Sequence, residues 1–325
     1  MERENSAPET LIQAIQYFTD PDNCIAFLAA HRWPDGEPIC PRCGSKDVGF
    51  IASRRVWQCK TRHPLAQFSI KVGTIFEDSP IGLDKWLTAM WMIGSDRNGI
   101  SSWELHRALG VTQKSAWFLL HRVRLAMQDE HWGGKLGGEV EADETFIGGK
   151  ARNMHKDRKR RAQKETGRIT GKTIAFGMVQ RGGTVRAMTV EDRGKAELQT
   201  RIKEHVEAGA AIFTDELPSY DGLSEEFKHE VINHAVEYVN GNIHTNTMEN
   251  FWSLLKRSLK GTYVSVEPFH LFRYLDEQAF RYNNRLPMSD ADRFTYLVRK
   301  IVGKRLTYAE LTGKLEGEAR QPEAG

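Results

Sequence analysis

The 325-residue sequence is poor in cysteine, with four, nearly balanced in charge at a formal +3, and shows no repeat period. Four cysteines are too few for a disulfide scaffold in a chain this long. No stretch approaches the ~18 apolar residues of a membrane span. The opening MERENSAPET offers no apolar signal region either, so a reducing cytoplasm and no membrane are expected. The small net charge excludes a chain that binds polyanions by bulk charge alone. The length allows two or three domains, one with a sizeable core. Function has to be sought in local clusters.

Composition changes along the chain mark those clusters. Residues 1–30 read as a short amphipathic helical segment, and 31–75 as a loop-rich stretch holding three cysteines. Residues 80–130 have a helical period. The glycine-rich HWGGKLGG then breaks the pattern, and from about 136 to 286 short β-like runs (EVEADETF, TIAFGMV, TVRAMTV, AAIFTD) alternate with helical ones. Such alternation predicts an α/β domain. Residues 287–325 read as a C-terminal helical segment and a polar tail expected to be disordered.

In CPRCGS, Cys40 and Cys43 have the spacing that lets two thiolates share one tetrahedral Zn2+. Fifteen residues separate Cys43 from a second half-site, Cys59 and His63. The expectation is one structural zinc in a Cys3His ribbon. Cys24 lies in an apolar helical run and is expected in the core.

The segment Gly99–Met127 has the marks of a helix-turn-helix. Ser101 and Glu104 are spaced as a capping box, the turn is Gly-Val-Thr, and Thr112 can cap the second helix. Leu105, Ala108 and Leu109, then Ala116, Leu119, Leu120 and Val123, form the expected buried side. Gln113, Lys114, Trp117 and His121 are expected to face outward, where a recognition helix meets DNA.

Four carboxylates fall within six residues: Glu139, Glu141, Asp143 and Glu144. In a strand the first three share one face and Glu144 takes the other. Their mutual repulsion calls for cations, and a metal site would supply them. Between Lys150 and Lys172, ten lysines and arginines face only Asp157 and Glu165, a local charge of +8 centred on Arg158, Lys159, Arg160 and Arg161. Phosphate backbone suits that density. Asp215 ends a short apolar run, where a strand delivers a side chain to the edge of a sheet.

In HTNTMENFWSLLKR, Phe251, Leu254, Leu255 and Leu259 repeat as an apolar stripe, while Glu249, Ser253, Lys256 and Lys260 share another face. Thr247 is a candidate N-cap, which would put Glu249 in the first turn. Asp143, Asp215 and Glu249 would then come from three separate elements. Three such carboxylates can hold two Mg2+ ions around an in-line phosphoryl displacement. Lys256, two turns beyond Glu249, can meet the adjoining phosphate.

These motifs, with FSIKVGTIFEDS and HLFRYLDEQAFRYNNR, resemble the bacterial insertion-sequence DDE transposases that carry an N-terminal zinc ribbon, the ISXO-type group. The resemblance implies an RNase H-like catalytic domain over 136–286. It implies Mg2+-dependent strand cleavage and transfer at element ends, and assembly as a homo-oligomer on double-stranded DNA. By position, Asp143, Asp215 and Glu249 become the acidic triad and Lys256 the basic residue after it. Asn246 and Asn250 stay open as alternatives for the third position. Glu249 is preferred because a charged oxygen binds Mg2+ better than an amide. The competing reading is a catalytically inactive or repurposed DNA-binding protein that uses only the ribbon and the helix-turn-helix.

Overall fold

The computed structural model describes residues 8–129, 133–148, 172–231, 245–286 and 288–314, with Lys156 and Arg160. The chain divides into two compact units, residues 1–127 with 286–325 and residues 128–285. Among the described residues no helix is long and apolar enough to cross a membrane. The predicted tail beyond 314 and most of the basic cluster lie outside the described residues.

The first unit starts with α1 (Leu11–Phe18), capped by a Thr10–Gln13 box, and α2 (Pro21–Arg32), whose N-terminal proline makes the separation between them. Phe18 and Phe27 of these helices pack with Phe294 of the helix Asp290–Arg299. Trp91 of α3 (Leu83–Ser95) joins the same aromatic cluster. Cys24 is buried here, as expected of a core thiol. Between α2 and α3, strands β1 (Val48–Ile51), β2 (Val56–Cys59) and β3 (Gln67–Phe68) form a small antiparallel sheet, with Cys59 opposite Val48.

The helix-turn-helix is present as α4 (Ser102–Leu109) and α5 (Gln113–Met127). Ser101 Oγ accepts from the Glu104 amide at 3.2 Å, and Glu104 Oε2 accepts from the Ser101 amide at 2.8 Å. Gly110 ends α4 at φ +61, a left-handed position that favours glycine. Thr112 Oγ1 caps α5 through the Ser115 amide at 3.1 Å. Two expectations need correction. Ala108 is exposed, and His121 is fully buried instead of facing outward. The cause is that the second half of α5 is covered all round. Arg122 donates to the carbonyls of Ile75, Glu77 and Leu306, and Lys304 donates to that of Leu125.

The second unit holds a five-stranded sheet of β4 (Glu139–Gly148), β5 (Lys172–Gln180), β6 (Val185–Val190), β7 (Ala211–Thr214) and β8 (Lys228–Val231), in the order β6-β5-β4-β7-β8. The first three form an antiparallel meander, while β7 and β8 run parallel to β4. One face packs Val140, Ala142, Phe176 and Ile212 against Leu198 and Ile202 of α6 (Lys195–His205). The other packs Ala175 and Val179 against α7 (Asn246–Ser258) and α8 (Leu271–Asn283) through Met248, Phe251, Leu255 and Leu275. This mixed sheet with helices on both faces is the RNase H-like arrangement expected from the sequence.

Candidate active site

Alternation along β4 decides what each acid of the cluster meets. Ala142 lies in the core on the α6 side, so Glu144, two residues on, points the same way. Its carboxylate accepts from the buried Tyr220 hydroxyl at 2.8 Å and lies 3.6 Å from the Arg193 guanidinium. Glu141 and Asp143 point toward α7.

Glu141 is not a free acid awaiting a cation, contrary to its expected part in a metal cluster. It is completely buried, 2.9 Å from Arg181, which also binds Glu139 at 3.0 Å. The same carboxylate accepts from the Thr247 amide at 2.9 Å, the Thr247 hydroxyl at 2.9 Å and the Met248 amide at 3.0 Å. Thr247 is therefore not the N-cap. Thr245 occupies that position without a side-chain cap bond, and Glu141 supplies the capping oxygens from the sheet. Glu249 does fall in the first turn, as expected.

Asp143 is different. Among the described residues neither Asp143 nor Asp215 has an ion-pair partner. The parallel register pairs Glu141 with Phe213, and extending it by two residues sets Asp143 level with Asp215 beyond the end of β7. Burial, then the charges of Glu144 and Asp215, push the Asp143 carboxyl up to about 7, against the influence of the facing Trp252. Asp215 Oδ1 accepts from the Leu217 amide at 3.1 Å, which holds its side chain at the strand end. Asp143, Glu249, Ser253 and Lys256 line one cleft of about 630 Å3, with Arg257 and Lys260 along the same helical edge.

The approach of α7 to the sheet depends on a glycine that no sequence pattern singled out. Gly177 on β5 pairs with Asp143, and a Cβ there would come within 2.7 Å of Trp252 Cζ2. Asn246 and Asn250 are both exposed on α7. Asp143 and Glu249 line the cleft and Asp215 stands level with Asp143, but among the described residues the three acids do not close into a tight cluster. Their hard oxygen donors and uncompensated repulsion at Asp143 fit a divalent cation such as Mg2+.

The tight cluster found among the described residues is in the ribbon. One ligand atom from each of Cys40, Cys43, Cys59 and His63 lies within 4.8 Å of all the others. His63 Nδ1 donates to the Pro64 carbonyl at 2.7 Å, which leaves Nε2 as the lone-pair nitrogen, 3.5 Å from Cys40 Sγ. Three thiols and one such imidazole fit Zn2+.

The candidate DNA contacts are more scattered. Gln113 is half-buried, its amide donating to Ser102 Oγ at 2.9 Å. Lys114 is exposed, with its ammonium 4.5 Å from the Tyr308 ring centre. Arg160 is exposed, while Arg158, Lys159 and Arg161 lie outside the described residues.

A zinc ribbon, a helix-turn-helix and an RNase H-like domain with paired aspartates define a DNA-processing protein of the transposase class. Residues 135–283 match the ISXO2-like transposase domain, and residues 19–61 match the transposase zinc-ribbon domain. The chain thus carries the transposase domain of the ISXO2-like insertion-sequence group together with a transposase zinc ribbon. It is 29% identical over 257 residues to a protein in transposable element ISH50 of Halobacterium salinarum, covering 75% of this chain and 85% of that one. A simian T-cell lymphotropic virus intasome structure, in complex with the PP2A regulatory subunit B56 gamma, matches at 14% identity and a TM-score of 0.28. That match covers 57% of this chain and 65% of the other, under two thirds of its length.

Proposed function

We propose that this transposase cleaves DNA strands at the ends of its insertion sequence and joins them to target DNA, with Mg2+ as the catalytic metal. The observation that carries the reading is the level pair Asp143 and Asp215, without ion-pair partners among the described residues and set beside a cleft that Glu249 and Lys256 line. In this reading Asp143, Asp215 and Glu249 hold two Mg2+ ions. When bound, such ions favour the deprotonated form of an attacking hydroxyl and offset charge on the leaving oxygen.

The protein's own groups do the rest. Asp143 acts as its carboxylate, and its burial beside Glu144 and Asp215 favours taking up a cation there. Lys256, half-buried in the cleft wall, binds a non-bridging phosphate oxygen and fixes the strand against the acids. Arg257 and Lys260 extend that contact along the backbone. In the first step a water oxygen bonds to phosphorus and the 3′ oxygen leaves as a hydroxyl. In the second, that hydroxyl oxygen bonds to a target phosphorus as the target strand's own P–O3′ bond breaks and its 3′ oxygen leaves as a hydroxyl, so no protein nucleophile is needed. The ribbon, α4–α5 and the basic cluster around Arg158–Arg161 bind the terminal repeats and target, and the protein works as a homo-oligomer on DNA.

Mg2+-dependent cleavage of labelled element ends tests the reading. Asp143→Asn, Asp215→Asn and Glu249→Gln should each abolish cleavage and joining while DNA binding persists. Normal cleavage by Glu249→Gln, with loss in Asn246→Ala or Asn250→Ala, would move the third role to that asparagine. Activity in all three acid variants would leave only the DNA-binding reading.

A further inference from the structure

We infer that Glu141 is a positioning residue for the catalytic acids: its buried carboxylate clamps the first turn of α7 to β4 and so sets where Glu249 stands relative to Asp143. The inference rests on the proposed role of those two acids. Glu141 is two residues before Asp143 on the same face of β4, about 7 Å along a strand. The amides it binds belong to Thr247 and Met248, the two residues immediately before Glu249. One carboxylate thus spans strand and helix at the point where each presents its acid.

Its bonding pattern suits that task better than a merely stabilising one. A neutral helix cap from a local serine or threonine satisfies one or two amides and binds the turn to itself. Glu141 instead ties the turn to a strand more than a hundred residues away in sequence, with Arg181 holding its Oε1 at 2.9 Å while the α7 amides hold Oε2. The Thr247 hydroxyl adds a further donor, so both carboxylate oxygens are occupied. Charge-assisted bonds of this kind are shorter and stronger than neutral ones, and they hold geometry. Gly177, beneath Met248 and Trp252, lets the clamped turn lie close on the sheet. The acid that a simple reading of the cluster would assign to a metal is spent on aligning those that can bind one.

The test uses the full chain and reads metal binding without turnover. Mn2+ is titrated into wild type and Glu141→Gln and followed by its free-ion spin-resonance signal. Amide exchange is measured across residues 245–250. Glu141→Gln should weaken Mn2+ binding about 10-fold, the usual size of a lost supporting contact. It should also raise the Mg2+ needed for half-maximal cleavage by a similar factor and speed exchange at Met248. A purely structural carboxylate would lower the melting temperature and leave metal affinity unchanged, and that result overturns the inference. If Glu141→Gln does not fold, Thr247→Ala removes the hydroxyl arm alone. It should shift the Mn2+ titration the same way by a smaller factor, and an unmoved titration overturns the inference. Asp143→Asn separates the two claims. Undiminished Mn2+ binding there defeats the catalytic reading itself, whereas lost binding there with a normal Glu141→Gln titration defeats only the positioning role.

Discussion

Gly177 on β5 faces Asp143 across the antiparallel ladder, and the space a methyl group would take there is filled by Trp252 and the Met248 methyl of α7. Helix α7 therefore rests on a glycine at the strand position level with Asp143. Gly177→Ala forces either the helix outward or the indole off its rotamer. Overpacking of this kind costs typically 1–3 kcal/mol. The expected result is a melting temperature several degrees lower and a marked loss of end cleavage, with DNA binding retained. Thermal unfolding and the cleavage assay check it, and an alanine variant equal to wild type in both would show that α7 tolerates the shift.

Asp143 also predicts an unusual stability effect. Its carboxyl is pushed up to about 7 by burial first and by Glu144 and Asp215 second, from an ordinary value of 3.8. A folded pKa above the unfolded one favours the protonated acid. The stability it contributes is full below about 4 and lost as pH rises through 7. Without metal, Asp143→Asn should thus be more stable than wild type at pH 8, by up to about 4 kcal/mol. The gap should close by pH 4. Thermal melts in chelator across that range decide it, and a less stable Asn variant at pH 8 would contradict the uncompensated-charge reading.

For the ribbon, the three thiols and the His63 imidazole should bind about one Zn2+ per chain. The three-stranded sheet has little apolar core beyond Trp57 and Phe68, so metal binding and its folding are coupled. Cys43→Ser and His63→Ala should each lower zinc content on metal analysis. Full zinc in the histidine variant would take His63 out of the site despite the fixed Nε2.

Local patterns showed the parts of the fold that neighbouring residues decide. The Ser101–Glu104 box, the Thr112 cap and the Cys-x2-Cys turn depend on residues three or fewer apart, and each formed as expected. Asp215 was legible because an apolar run delivers it to a strand end. Long-range pairing hid the rest. Helical spacing grouped His121 with Lys114 and Trp117, but segments near Ile75 and Leu306 cover that part of α5. The strand pattern correctly set Glu141 beside Asp143, yet nothing near it announced Arg181 or the α7 amides. Gly177 gave no signal, because its need is set by Trp252 on a distant helix.

Two kinds of DNA contact should respond differently to salt and sequence. Arg158, Lys159, Arg160 and Arg161 sit in a cluster of +8 that carries no apolar pattern, so their expected partners are phosphates. Each phosphate contact contributes roughly 0.9 to the slope of log affinity against log salt. Replacing all four by alanine should weaken binding to every sequence alike and flatten the slope by up to about 3.6. Lys114 differs, because it is exposed at the start of α5, the helix proposed to read the element's ends. Lys114→Ala should reduce affinity for the element's own ends more than for unrelated DNA and change the slope by about one. Titrations of both variants on end and random duplexes at several salt concentrations measure this. An unchanged slope in the quadruple variant would mean that the basic cluster is solvated and not bound to phosphate. Equal losses on both duplexes for Lys114→Ala would move end recognition off the start of α5.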